Sequence, residues 1–309
     1  MSFPEKVYLR ELGPREGFQT LPQVIPTAAK LELIRLLGLS GVPEIEIASF
    51  VRPDKVPQMA DAETIVKDFV AQPGVKYTAL YLNAHGFERA EGAGRLSNDG
   101  WLYVAASDTF LKRNNNSTVA EMVAKIPEWL DLFKRFGKAL HGVMISTAFG
   151  CNYEGVISQT RVLDILGMVQ AQLQAHGCSP AEISLADTMG WGTPPKVKTL
   201  VSAVRERFPA SEVSLHLHDT RGTGMANVYA GLEAGVRIID CSVGGMGGCP
   251  FAKGAAGNVP TEDVAFMCQE LGIQTGVSLQ KLCAAARYAE SVVGAPLPGK
   301  LYKTIDRVP

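Results

Sequence analysis

The chain has 309 residues, 46% of them hydrophobic and 20% charged, with 30 basic and 31 acidic side chains and a net charge of −1. That length suits one large α/β domain with a sizeable core. Balanced charge without a basic tract argues against a nucleic-acid partner, and no apolar run approaches the length of a membrane span.

In chain order, short apolar segments read as buried parallel strands at Val7–Leu9, Glu44–Ile47, Tyr77–Leu82, Trp101–Ala105, Leu140–Ile145, Ile183–Ala186, Val213–Leu217 and Ile238–Ser242. Amphipathic helical spacing lies between them at Thr27–Leu39, Val119–Phe136, Val162–Ala175, Val197–Arg207 and Met225–Ala234. Eight strand–helix units without a composition break predict an α/β fold of the (β/α)8 TIM-barrel type rather than an open doubly wound sheet. No G-x-G-x-x-G opens the first β/α turn, which removes the simplest dinucleotide-binding version of the open sheet. One further helix is expected at Ser278–Val293, and Pro296, Pro298 and Gly299 suggest a frayed tail. The whole chain, 1–309, is expected to be one domain, with the barrel at about 6–275 and a helical extension at about 276–309.

The six cysteines show no C-x-x-C pair and no disulfide-scaffold density, so they read as reduced thiols. The first residues lead directly into a strand pattern without a signal-peptide apolar region. A cytoplasmic location is expected, and a homo-oligomer is compatible with the sequence.

The richest chemistry stands at the predicted strand ends, which share one rim in a barrel. His216-Leu217-His218-Asp219 closes an apolar strand, and alternate strand residues share a face, so two imidazoles can aim at one point. Such a pair suits a divalent transition metal, while two histidines that merely end a strand fit the same pattern. After the first strand comes Glu11-Leu12-Gly13-Pro14-Arg15-Glu16-Gly17-Phe18-Gln19, placing a guanidinium and a carboxylate in a turn. In the second strand Glu44 and Glu46 share a face, and a barrel-interior carboxylate needs a cation, for which Arg15 is the obvious partner.

Asp187 and Thr188 end the sixth strand, where Thr193 and Pro194 also fit an ordinary helix start. The stretch 244–258 holds six glycines around Cys249, the composition of a functional loop with a candidate acid/base thiol. Asn258 fits either a helix cap or an oxygen ligand. Two imidazoles with the oxygens of Glu16 and Asn258 would suit Mg²⁺, Mn²⁺ or Co²⁺ in octahedral geometry.

These residues resemble the 3-hydroxy-3-methylglutaryl-CoA lyase family of the DRE-TIM metallolyases. Gly13-Pro14-Arg15-Glu16-Gly17-Phe18-Gln19 is similar to that family's first-strand motif, and Glu46-Ile47-Ala48-Ser49-Phe50-Val51 to its second-strand block. His216-x-His218-Asp219-Thr220 and Gly247-Gly248-Cys249-Pro250-x-Ala252-x-Gly254-Ala255-x-Gly257-Asn258 resemble its metal and active-site-loop signatures. Gly276-Val277-Ser278-Leu279-Gln280-Lys281-Leu282 resembles its late helix.

The resemblance implies a TIM barrel, an Mg²⁺ or Mn²⁺ cofactor, and cleavage of 3-hydroxy-3-methylglutaryl-CoA to acetyl-CoA and a keto acid such as acetoacetate. It places Glu16, His216, His218 and Asn258 around the metal. It gives Arg15, Glu46 and Cys249 catalytic roles: enolate stabilisation, orientation of Arg15, and proton transfer. It puts Gln19, Ser49, Asp187 and Thr188 against a small acyl-CoA substrate, with Lys112, Arg113 and Lys253 as loose candidates for the CoA. One departure stands out: the family has aspartate where this chain has Glu16. Citramalyl-CoA or another branched 3-hydroxyacyl-CoA, a Claisen-type synthase reaction, and a non-catalytic metal- or acyl-CoA-binding homologue are the alternatives.

Overall fold

The computed structural model describes residues 3–248 and 257–305. Eight strands occur in chain order: β1 (Tyr8–Glu11), β2 (Glu44–Ser49), β3 (Lys76–Leu80), β4 (Gly100–Ala105), β5 (Leu140–Ser146), β6 (Glu182–Asp187), β7 (Glu212–Leu217) and β8 (Ile238–Cys241). The helices begin with α1 (Thr27–Leu39), α2 (Ala62–Asp68), α3 (Ala84–Gly92), α4 (Asp108–Asn115), α5 (Val119–Ala124) and α6 (Ile126–Arg135). They continue with α7 (Gln159–Ala175), α8 (Pro194–Arg207), α9 (Gly224–Glu233), α10 (Thr261–Glu270) and α11 (Leu279–Val293).

The chain divides into two compact units. One is Asp99–Arg237; the other joins Phe3–Asn98 with Ile238–Pro309. In the first, β4, β5, β6 and β7 pair in sequence as a parallel ladder. All six residues of β6 are buried, as expected of a parallel strand covered on both faces. Helices α4 to α9 belong to this unit. Ser158 caps α7 by accepting from Arg161 N, and Thr118 with Glu121 forms a reciprocal capping box on α5.

In the second unit the ladder runs β3–β2–β1–β8, again parallel throughout. Leu33, Ile34 and Leu37 bury one side of α1, and α11 packs along α1 and α10. The register of β2 against β3 shifts between Glu46 and Ala48. Such a bulge inserts one residue and re-aims the side chains beyond it. Ser49 therefore lies level with Leu80, on the side Glu46 shares with Thr78, although strict alternation would oppose Ser49 to Glu46.

Two expectations need correction. The continuous helix expected at Val119–Phe136 is two helices that meet at Lys125, with Pro127 in the first turn of α6. Proline lacks the N–H that an unbroken helix would need there. The tail is not frayed over its described part: Leu297 and Tyr302 are buried, and Leu301–Lys303 forms a 3-10 turn. Gly299 N donates to Gly244 O (2.9 Å), and Asp263 accepts from the backbone N–H groups of Lys300 and Leu301.

Candidate functional site

In the unit built on β1, β2, β3 and β8, the segment after β1 turns at once into one π-helical turn, Gly13–Gly17. Its anchor is Glu11, fully buried at the end of β1, which accepts from Gly13 N (2.6 Å), Val243 N (2.9 Å) and the Thr261 hydroxyl. Burial still pushes the Glu11 carboxyl up to about 7 against those hydrogen bonds.

The turn presents Arg15 beside two carboxylates. Arg15 Nε donates to Glu46 Oε1, and Arg15 Nη2 lies 3.2 Å from Glu16 Oε2. Burial raises the Glu46 carboxyl; Arg15 pulls it back down, while Glu16 and Asp240 raise it further. The partnership of Arg15 with Glu46 is the one the sequence suggests. Glu44 takes different partners: the Tyr8 hydroxyl (3.2 Å), Arg10 (3.4 Å) and Lys76 (3.8 Å).

Asn258 Nδ2 donates to Glu16 Oε1 at 2.9 Å. Gly247, at φ +109°, lies against this pair, and a Cβ there would stand 2.8 Å from Asn258 Nδ2. Asn258 does not cap α10, which begins at Thr261 behind Pro260. Its Oδ1 is buried without a hydrogen-bond donor among the described residues, and so is the Ser49 hydroxyl without a partner. A buried amide oxygen left over beside a carboxylate is costly unless something else satisfies it. A hard divalent cation would do so, and the donor set fits one. Gln19 Oε1 is likewise buried and unsatisfied among the described residues.

In the unit of β4 to β7, His216 is the penultimate residue of β7 and His218 directly follows the strand, and both are buried. Their Nε2 atoms converge to 3.0 Å with ring centroids 5.0 Å apart. The two-residue strand period delivers both rings to one point, as the sequence pattern requires. Two converging imidazole nitrogens offer their lone pairs to a metal or share one proton.

Asp187, fully buried at the end of β6, accepts from Trp191 N (2.7 Å) and Gly192 N (2.8 Å). Burial raises its carboxyl, and those two N–H groups, then His218 and Arg221, lower it. Thr188 accepts from Thr147 N at 2.9 Å, steadying a non-glycine residue held at φ +54°. Both side chains thus hold the loops of the strand ends. Among the loose CoA candidates, the Arg113 guanidinium lies over the Tyr153 ring at 4.3 Å, with Lys112 beside it on α4. Cys249 and Lys253 lie outside the described residues.

Sequence reasoning gives no role to Glu262, fully buried in the first turn of α10, where its Oε2 accepts from Gly244 N (3.0 Å). Burial pushes its carboxyl up to about 8. An acid at this position reads as ordinary helix-dipole chemistry, so only packing reveals it. Arg221 and Trp191 also escape a reading by motif, although each flanks one.

A guanidinium clamped between carboxylates beside paired oxygen donors in one unit, and a histidine pair at the end of a parallel strand in the other, are the side-chain chemistry of an α/β-barrel enzyme. The HMGL-like family model matches residues 6–289, and the chain belongs to that family. It is 41% identical over 287 residues to the mitochondrial hydroxymethylglutaryl-CoA lyase of Bos taurus, covering 93% of this chain and 86% of the relative. The crystal structure of the Bacillus subtilis HMG-CoA lyase matches with a TM-score of 0.91 at 35% identity, over 99% of this chain and 100% of the other. An HMG-CoA lyase from Acinetobacter baumannii in complex with coenzyme A and 3-methylmalate matches with a TM-score of 0.88 at 35% identity, over 98% and 96% of the two chains. The fold is the TIM barrel of these lyases, and the chain is a lyase. Among the described residues, no helix is long and apolar enough to cross a membrane.

Proposed function

We propose that this chain is a divalent-cation-dependent carbon–carbon lyase that cleaves 3-hydroxy-3-methylglutaryl-CoA to acetyl-CoA and acetoacetate. The observation that carries the reading is identity near 40% to named HMG-CoA lyases over nine-tenths of the chain, with the acid, guanidinium and imidazole motifs all present. Glu16, His216, His218 and Asn258 would hold Mg²⁺ or Mn²⁺. The orphaned Asn258 oxygen beside Glu16 and the converging Nε2 pair each support that assignment. When bound, the cation supplies Lewis acidity toward the C3 hydroxyl and the ketone that replaces it.

The remaining work falls to side chains. The C3 hydroxyl gives up its proton to a base, the oxygen's electron pair forms the ketone C=O, and as the C2–C3 bond breaks its electron pair moves onto C2 and the thioester oxygen of the departing acetyl-CoA. Arg15 places a fixed positive charge for that oxygen, a contribution of about 3 kcal/mol for a single preorganised donor. Glu46 holds Arg15 Nε and so sets which edge of the guanidinium faces the substrate. Cys249 delivers the proton that turns the C2 carbanion into the methyl group of acetyl-CoA. Gln19 and Ser49 would meet the acyl end, the unsatisfied Ser49 hydroxyl suiting the free carboxylate of the substrate, while Asp187 and Thr188 would act on it through the loops they hold. Lys112, Arg113 and Lys253 are candidates for the CoA moiety.

The test is acetyl-CoA release from 3-hydroxy-3-methylglutaryl-CoA by purified protein, with Mg²⁺ or Mn²⁺ and after chelation. No release with either metal refutes the proposal. One observation favours a second substrate: Glu16 extends the metal-facing carboxylate by one methylene relative to aspartate, roughly 1.5 Å. A related branched 3-hydroxyacyl-CoA, such as citramalyl-CoA, would then give the higher kcat/KM in a side-by-side panel.

A further inference from the structure

Arg221 sits in the loop between β7 and α9, three residues after His218, and its guanidinium is held in one pose. Nη1 donates to the carbonyls of Met189 (2.6 Å) and Gly190 (2.8 Å), and the guanidinium carbon lies 4.9 Å from the centroid of the Trp191 ring. Trp191 is itself fixed. Its Nε1 donates to Asn152 Oδ1 (2.8 Å), its backbone N–H to Asp187 Oδ1 (2.7 Å), and Gly150 lies beneath it. A Cβ at Gly150 would stand 2.5 Å from the indole Cγ, so the loop after β5 admits the ring only because residue 150 is glycine.

This arrangement is more than a surface arginine bridging two carbonyls. Immobilising an arginine costs about 2 kcal/mol of side-chain entropy. Neutral acceptors do not need a full positive charge. Among the described residues no carboxylate lies within ion-pair distance of the Arg221 guanidinium, whose charge acts on the buried Asp187 only through space, and its Nε–H has no acceptor. Nη2 reaches only Asn152 Oδ1, at 3.4 Å. Arg221 is exposed, in the loop that follows the strand end carrying His218, so the Nε–Nη2 edge that the two carbonyls leave free is open to a ligand. A stacked, oriented guanidinium without an ion-pair partner is built to receive an oxyanion through two parallel N–H donors.

We infer that Arg221, braced by Trp191, is a specificity-determining residue that binds an oxyanion of the acyl-CoA. The anion is either a phosphate of the CoA or the free carboxylate of the acyl chain. The inference rests on the proposed lyase reading for the identity of the ligand, and its test uses equilibrium binding, so that the two can fail separately.

The experiment is calorimetric titration of the Mg²⁺-loaded wild-type protein and Arg221→Gln with coenzyme A and, separately, with 3-hydroxy-3-methylglutarate. Glutamine keeps a donor for the Met189 and Gly190 carbonyls but removes the charge. Loss of a charge-assisted bidentate contact is expected to weaken one of the two ligands by about 10- to 100-fold and leave the other within about twofold. Weakening of coenzyme A assigns the phosphate; weakening of the diacid assigns the carboxylate. Arg221→Lys, which keeps charge but not the fork, is expected to recover only part of the loss. The inference is overturned if both dissociation constants stay within about twofold in Arg221→Gln, if both rise equally while the melting temperature falls, or if the wild type binds neither ligand. Turnover by a wild type whose Arg221→Gln variant binds normally would discard this role and leave the lyase reading intact.

Discussion

Replacing Arg15 by methionine removes a cation from between two carboxylates while preserving most of the side-chain volume. Arg15 touches Glu46 through Nε and Glu16 through Nη2, and the three side chains are only about one-tenth exposed. Two consequences should separate in experiment. Transition-state stabilisation of the enolate oxygen is lost, about 3 kcal/mol, which at about 1.36 kcal/mol per decade is roughly 100- to 200-fold in kcat. The ground state also suffers, because two partly buried carboxylates lose their counter-charge. Breaking a buried pair costs about 3–5 kcal/mol, and the residual solvent access here brings that to roughly 2–3 kcal/mol. For a chain of this size that is a fall of about 5 °C in melting temperature. Arg15→Lys should recover much of the stability and little of the rate, since an ammonium cannot hold Glu46 and reach the substrate with a planar fork. Coupled acetyl-CoA release, run well below the variant's melting temperature, is the assay. Turnover in Arg15→Met within about threefold of wild type would refute the enolate role, and an unchanged melting temperature would refute the energetic account of the clamp.

Other outcomes rest on the same geometry. Glu16→Asp should retain or raise turnover of 3-hydroxy-3-methylglutaryl-CoA, while Glu16→Ala should weaken Mn²⁺ binding by about tenfold or more in calorimetry; equal affinity in Glu16→Ala would remove this carboxylate from the metal shell. His216→Ala should abolish turnover and also the stabilisation on adding Mg²⁺ or Mn²⁺, which in the wild type should reach about 2.7 kcal/mol at about a hundred times Kd. Glu262→Gln should alter stability in a pH-dependent way. Burial lifts this carboxyl from 4.5 to about 8, so the native state holds its proton more tightly than the unfolded chain. The contribution is complete below about pH 4.5 and is lost as pH rises through about 8. Glutamine has no such loss, so its unfolding free energy should exceed that of wild type by a margin that grows from about pH 5 to about pH 9, toward roughly 2–4 kcal/mol. A constant difference across that range would show that Glu262 does not titrate in the folded protein.

All eight strands are legible because buried parallel strands leave continuous apolar runs, and the ends differ from expectation by at most two residues. His216 and His218 are legible for a related reason: strand periodicity is rigid, so a two-residue spacing fixes a shared face. The pairing of Arg15 with Glu46 comes from the cost of leaving a carboxylate uncompensated inside a barrel. The features that escape the sequence depend on events that period alone does not carry. Apolar spacing continues across Lys125 even though the backbone breaks there, because α5 and α6 bury apolar residues on either side of the break. The bulge in β2 carries Ser49 to the side of Glu46, a shift invisible to alternation. Glu262 resembles any acid in a first helical turn until the packing around it is known. Pro296, Pro298 and Gly299 break any periodic pattern in the tail, yet Leu297 and Tyr302 find cover and Gly244 supplies a backbone partner.

That docked tail ties two distant stretches of sequence into one mechanical element. Gly299 is hydrogen-bonded to the Gly244 carbonyl, and Glu262 holds the N–H of the same residue, just where the chain sets out toward Cys249. A truncation or bulky fusion that dislodged residues 297–303 would therefore remove a backbone partner of Gly244 and expose Leu297 and Tyr302. An inactive variant whose core motifs are all intact should also be searched for damage at residues 297–303, which brace the turn that follows β8.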